Sequence, residues 1–436
     1  VSTPAGRPPL PSAVPALPPQ QRGRTRRAHI IRAASDLIDS MGAKGRRAVT
    51  LRAIARAADT PVASIYHYFP DVDSVIAAVA AEYGDDLSAV VEAATSEPMD
   101  SIDELLDVVV ATYRGYFAAR PGLRELWFDR RATEKVVAIH RDFRAKLAEM
   151  LRKRMGAFTT APHDPLTYAM LFEMVGVLWE LAFELDDAGD PRVITEVGAL
   201  AGRFLHRRFG IAAPGPVPLP AEQPDVRDVE AVVLPGWRPE QPPQERGRKR
   251  RAEILAAASS LIDAEGPHGV NVTIRGITDA AGASPASVYR YFNDLDSLVA
   301  TVAYEFMNEL LSVGEEAVRA APHDWDTLVA HSVSAHREFF ARHPGLRRLW
   351  FDRRASETLQ EMHTYYRRVA AARQRDAVAR FVEPAGDLFD HELHVEITGA
   401  LWEFAFTADP AGHPDAIAEI DELGREVAHR VRERSR

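Results

Sequence analysis

The chain has 436 residues, 46% hydrophobic and 27% charged, with a formal net charge of −10; this is an ordinary globular composition, with room for two to four domains. It has no cysteine, which excludes disulfides, thiol redox chemistry and Cys-ligated zinc. No stretch approaches the ~18 uncharged apolar residues of a membrane span, since the best run, Met170 to Leu185, carries Glu173, Glu180 and Glu184, and without the apolar core of a signal peptide the expected location is the cytoplasm.

Residues 1–21 hold seven prolines and are expected to form a disordered or polyproline-like tail. A first helix follows the cluster Arg22-Gly-Arg-Thr-Arg-Arg27, with Ala28, Ile31, Ala34, Leu37 and Ile38 on one face, and stops near Gly42. Thr50 is a good N-cap for a second helix with Leu51, Ile54, Ala55 and Ala58 facing inward. After a short turn, a third helix is predicted from about Pro61 to Tyr68 and a fourth from about Asp73 to Ala94. Amphipathic stretches then run at about 101–119, 122–155, 165–187 and 191–208.

Residues 212–244 hold nine prolines and read as a linker. Beyond it the plan repeats, about 224 residues on. Arg246-Gly-Arg-Lys-Arg-Arg251 answers the first basic cluster, Ala286 to Phe292 answers Ala63 to Phe69, and Phe340 to Ala355 matches Phe117 to Ala132 at 13 of 16 positions. Final helices are predicted near 391–407 and 414–434. Each copy is long enough to bury its own core, so the period marks a duplicated domain. The expected division is head 1 over 22–83, body 1 over 84–211, head 2 over 245–307 and body 2 over 308–436.

Charge is distributed unevenly over this plan. Residues 22–83 carry ten Lys/Arg against six Asp/Glu, net +4, whereas residues 246–307 carry seven of each. Small basic contact surfaces on acidic bodies suit nucleic acid better than the total charge suggests.

Thr50 to Phe69 has the dimensions of a helix-turn-helix, whose short helices cross closely only where small residues such as Ala55, Ala57 and Ala58 meet. In the second copy Thr273, Ile274, Ile277, Ala280, Ala281 and Gly282 do the same. Gly282 supplies the positive φ that the turn favours; Asp59 stands there in the first copy. The carrying residues Thr50, Ile54-Ala55, Ser64-Ile-Tyr66-His-Tyr68-Phe69 and Asp73, matched by Thr273, Ile277, Ala281 to Ser284, Ser287-Val-Tyr289-Arg-Tyr291-Phe292 and Asp296, resemble the TetR family of transcriptional regulators.

The resemblance implies an all-α fold with two tandem copies of a helix-turn-helix head on a larger ligand-binding and dimerising body. It also implies a double-stranded DNA operator as partner. Thr50 and Thr273 would sit against phosphates, with Tyr66, His67, Tyr68, Tyr289, Arg290 and Tyr291 at the backbone or adjacent bases. Val62, Ala63, Ser64, Pro285, Ala286 and Ser287 would meet base edges, favouring thymine methyls and shape. Arg24, Arg26, Arg27, Arg248, Lys249 and Arg250 would act as arms on phosphates or in the minor groove.

Two departures stand out. Val72 and Leu295 occupy the position where the family commonly carries a phosphate-binding Lys, and Thr60-Pro61 lies one residue earlier than Ser284-Pro285. Since Pro favours the first helical position, the two recognition helices are expected to start one residue apart.

As TetR-like proteins work as homodimers, the two halves are expected to pack as a pseudo-twofold dimer within one chain, with Gly176 and Gly399 permitting close helix crossing; a dimer of chains is the rival. Trp127, Trp179 and Glu180, matched by Trp350, Trp402 and Glu403, are candidates for an apolar effector pocket, although aromatic core explains each singly. Asp129-Arg-Arg131 reads as a helix-capping cluster. No cofactor is implied, and no metal site either: His391-Glu392-x-His394 has the wrong two-His spacing and no counterpart in the first copy. The expected function is a sequence-specific regulator, a repressor released by a small apolar ligand; the alternative is a helical scaffold or ligand sensor that has lost DNA binding in one or both heads.

Overall fold

The computed structural model describes residues 21–41, 49–128, 133–212, 242–320, 323–351 and 356–434. All of the expected tail but Gln21, most of the expected linker and the Asp129 to Arg131 cluster lie outside them. Every regular element among the described residues is a helix, and the chain divides into two units, Val1–Ala221 and Glu222–Arg436.

Unit 1 holds α1 (Gln21–Met41), α2 (Leu51–Ala57), α3 (Val62–Tyr66), α4 (Val72–Ala94), α5 (Ile102–Ala118), α6 (Pro121–Trp127), α7 (Glu134–Met155), α8 (Pro165–Leu185) and α9 (Pro191–Phe209). Unit 2 repeats the order as α10 (Glu245–Glu265), α11 (Ile274–Ala280), α12 (Pro285–Tyr289), α13 (Leu295–Arg319), α14 (Trp325–Arg342), α15 (Pro344–Trp350), α16 (Glu357–Ala379), α17 (Leu388–Ala408) and α18 (Pro414–Arg434).

Local chemistry sets most of these starts. Thr50 Oγ1 accepts from Ala53 N at 3.2 Å, Asp71 Oδ1 from Ser74 N at 2.7 Å and Ser101 Oγ from Glu104 N at 3.1 Å. In unit 2 Thr273, Ser284 and Asp294 do the same for Gly276, Ser287 and Ser297. Each such cap satisfies an amide that the helix itself cannot.

Several predicted boundaries move. The stretch predicted over 122–155 is two helices, α6 and α7. The expected head–body divisions at 83/84 and 307/308 fall inside α4 and α13, which run unbroken there, straight through Gly84 in the first, so head and body share a helix in each unit. Helix α1 starts at Gln21, well before Ala28, and Ala28 itself is exposed.

The body cores are aromatic. Phe117, fully buried, has Tyr113, Phe128, Phe183 and Trp127 rings within 6.2 Å, and Phe340 sits likewise among Phe351, Trp402 and Phe406. Among the described residues α8 alone is long and apolar enough to cross a membrane, but 61% of its apolar window is buried inside the protein. It serves as a core helix.

Head and body meet most closely where α6 crosses the end of α1. A Cβ on Gly122 would fall 2.3 Å from Ile38 O, and one on Gly345 1.9 Å from Ile262 O. Asp39 Oδ1 accepts from Leu123 N at 3.1 Å, and Asp263 Oδ1 from Gly345 N at 2.9 Å. Within their own units Gly176 and Gly399 have nothing within 4 Å of the Cβ position. Tight approach inside each unit serves to dock α6 and α15.

The helix-turn-helix turn has positive φ in both units, 42° at Asp59 and 54° at Gly282. A Cβ at Gly282 would meet nothing within 4 Å, so its cost there is conformational alone. Gly282→Ala is expected to destabilise unit 2 by ~1 kcal/mol and Asp59→Gly to stabilise unit 1 by somewhat less. Chemical denaturation of both variants checks this; equal, near-zero shifts would contradict it.

Candidate nucleic-acid interface

Each recognition helix is short and held from beneath. Ile65 and Phe69 are fully buried, as are Val288 and nearly all of Phe292, while the residues between them turn outward. Tyr66 is 57% exposed and Tyr289 56%, among the most exposed large hydrophobic residues in the protein. Neither tyrosine packs in the core beneath the turn. His67 and Arg290 follow them at the surface, and Tyr68 and Tyr291 are half-buried, with the His67 and Tyr68 rings edge-to-face at 5.0 Å.

Ala63, Pro285 and Ala286 are exposed, and Val62, Ser64 and Ser287 half-buried. The capping hydroxyls of Thr50 and Thr273 belong to exposed residues at the starts of α2 and α11. The expected one-residue offset between recognition helices is not found. Helix α3 starts at Val62 and α12 at Pro285, equivalent positions in the repeat. The reason lies in the turn, which the bonds Thr60 N to Ala55 O and Ala283 N to Thr278 O, both 2.9 Å, fix in the same register. Pro61 therefore takes the N-cap place without a side-chain cap, whereas Ser284 caps its helix.

The basic clusters require correction. They form the first turns of α1 and α10 rather than preceding them. Arg24, Arg248 and Lys249 are exposed, Arg248 donating to Pro243 O at 2.8 Å. Arg26 Nη1 donates to Thr60 Oγ1 at 3.3 Å, and Arg250 donates to Gly282 O and Glu253, so both hold neighbouring structure around the turn. Arg27 is 8% exposed, on a buried stripe with Ile31, Ala34 and Ile38, and its guanidinium lies 5.2 Å from the Phe69 ring centroid. It is a core residue, not an arm. Arg251 repeats this 5.4 Å from Phe292. Burial lowers the pKa of both guanidiniums, opposed by the carboxylates of Glu82 and Glu305, whose own pKa values burial raises.

The candidate pocket residues lie in the body cores. Trp127 packs on His140 at 4.4 Å and Phe143 at 4.8 Å, Trp179 on Tyr113 at 4.9 Å, Trp350 on His363 at 4.3 Å and Trp402 on Phe340 at 5.4 Å. All four tryptophans are buried, and Glu180 and Glu403 are half-buried. His391 bonds Ala385 O at 2.9 Å while Arg367 approaches Glu392 at 3.6 Å, and no group able to hold a metal occurs among the described residues.

Two family models each match the chain twice. "Bacterial regulatory proteins, tetR family" covers 30–79 and 254–302, and "Tetracyclin repressor-like, C-terminal domain" covers 99–209 and 323–426. The chain belongs to the TetR family. It carries two TetR units in tandem, and membership of the family makes it a DNA-binding transcriptional regulator. Single-unit structures are similar to parts of it. A TetR-family regulator from Streptomyces coelicolor is 24% identical, with a TM-score of 0.34, over 42% of this chain and 98% of its own. A TetR-family regulator from Mesorhizobium loti is 17% identical, with a TM-score of 0.36, over 43% and 98%. The multidrug binding protein EbrR, solved with imidazole, is 22% identical, with a TM-score of 0.33, over 44% and 97%.

Three features escaped sequence reading. Arg27 and Arg251 fall on the apolar stripe of their helices, a signal hidden by the neighbouring arginines. Lys135 reaches Asp71 at 2.9 Å and Ser74 Oγ at 2.7 Å, a pairing 64 residues long that no local pattern announces. Half-buried His336 and buried His391 and His394 in body 2 stand where body 1 has Tyr113, Tyr168 and Leu171.

Proposed function

We propose that this TetR-family chain is a repressor whose two non-identical heads read the two halves of one asymmetric operator, the units pairing as a pseudo-twofold dimer within the chain. The exposure of Tyr66 and Tyr289 on helices anchored by Phe69 and Phe292 carries the reading. A bulky aromatic costs free energy in water and is retained at a surface most readily where a partner covers it. Each recognition helix adds side chains small enough for close approach to a major groove. Covalent linkage leaves the heads free to differ, as His67 against Arg290 and Pro61 against Ser284 illustrate. A small apolar ligand binding among the body aromatics would release DNA by favouring a head arrangement that misses the half-sites.

Binding of the full chain to the duplex upstream of its own gene, titrated with salt, tests this. A log–log slope of several units is expected. Tyr66→Ala and Tyr289→Ala should each weaken binding by about tenfold or more, equivalent to ~1–3 kcal/mol for a lost specific contact. A chain with no salt-dependent binding, indifferent to both substitutions, would be the scaffold instead.

A further inference from the structure

We propose that Arg27 and Arg251 are positioning residues for DNA reading, each holding the phenylalanine that ends a recognition helix and neither touching phosphate. This rests on the DNA-binding reading above. Phe69 N and Tyr68 N both donate to Ile65 O at 2.9 Å, so Phe69 closes the last turn of the segment presenting Tyr66, His67 and Tyr68. Its ring is fully buried, and the Arg27 guanidinium lies over it from α1. The countercharge stands on a third helix: Glu82 of α4 acts on Arg27, and Glu305 of α13 lies 3.8 Å from Arg251. A line of carboxylate, guanidinium and ring thus joins two helices of each head to the turn that closes the recognition helix, and fixes where that helix ends relative to α4 or α13.

The residue type matters. A guanidinium is planar and weakly hydrated, so it can lie on a ring in a dry site where a lysine ammonium could not. The arrangement is the same in both heads, within 5.2–5.4 Å of the ring, although residues 22–83 carry net +4 and residues 246–307 none. It therefore does not follow the surface charge that would attract phosphate.

The two roles separate by measurement. Removing a phosphate contact lowers the salt slope by about 1 and weakens all sequences alike. Losing a positioning residue weakens the selected sequence and leaves the slope alone. The probes are a duplex selected by the wild-type chain from a random library and an unselected duplex of equal length. Arg27→Met, Arg251→Met, the conservative Arg27→Lys and the charge-removing Glu82→Gln are compared in the full chain, with helicity and unfolding midpoint recorded. On the selected duplex, the Met variants should lose about tenfold or more, Arg27→Lys nearly as much and Glu82→Gln less; the unselected duplex should change less than about twofold, at constant salt slope. A slope reduced by about 1 with both duplexes weakened equally would make these arginines phosphate contacts. Folded variants with wild-type discrimination would make them packing alone, and either result overturns the proposal. A wild-type chain that binds neither duplex defeats the DNA-binding reading itself, and this one with it.

Discussion

Acidification is expected to loosen the second body before the first. His394 is 5% exposed on α17, and burial, then the nearby Arg430 and His391, lowers its pKa to about 3. His336 and His391 are lowered in the same direction by burial. The unfolded chain takes up these protons near the ordinary histidine value while the folded protein refuses them. Their neutral forms thus contribute stability that is complete above about pH 6.5 and declines as pH falls through the folded values. For His394 alone the full window corresponds to on the order of 4 kcal/mol, about half of it lost by roughly pH 4.5. Hydrogen exchange, corrected for intrinsic rate, should show 388–408 opening on acidification well before 165–185. His394→Leu, which installs the residue type of Leu171, should remove most of the difference. Parallel opening of the two helices would refute the assignment.

Gly345→Ala is expected to be among the most damaging single-methyl changes in the molecule, with Gly122→Ala close behind. The new Cβ would lie 1.9 Å from Ile262 O and 2.4 Å from Asp263 Cα, or 2.3 Å from Ile38 O and 2.4 Å from Asp39 Cα in the first unit. These are backbone atoms inside helices, which cannot swing aside, so α15 or α6 must lift. Lifting breaks the bonds of Asp263 to Gly345 N and Leu346 N, or of Asp39 to Leu123 N. A cost of ~3 kcal/mol or more follows from overpacking together with lost buried hydrogen bonds. Denaturation midpoints, with exchange protection at Leu123 and Leu346, measure it; a loss below ~1 kcal/mol would show that the junction yields easily.

Much of this molecule is legible in one dimension because helix starts are local. Thr50 and Thr273 cap where their side chains say they should, and the Tyr-x-Tyr-Phe segment predicts its own outward and inward faces. What resists is long-range. The arginine clusters look like arms because three of every four neighbours are basic, yet the stripe through Arg27, Ile31, Ala34 and Ile38 turns one of them inward. Pro61 misleads because the turn register, set by Thr60 N to Ala55 O, overrides the preference of proline for the first helical position. Neither the division of the stretch predicted over 122–155 into α6 and α7 nor the seating of α6 on α1 is written in its periodicity. The tryptophans are visible as body residues, but their partners, such as His140 for Trp127, come from other helices.

Lys135 carries a consequence of its own. Its ammonium joins α7 to the first turn of α4, just after the recognition segment, through Asp71 and Ser74. Burial raises the Asp71 pKa, but its bonds to Ser74 and Lys135 outweigh this and hold the carboxyl below its ordinary value. The matching place in unit 2 is Thr358, and there Asp294 and Ser297 simply cap each other. Twin subunits made from one gene inherit every mooring in pairs. A tandem chain can add such a tie to one head and omit it from the other, so that its two halves are free to differ in stiffness as well as in sequence.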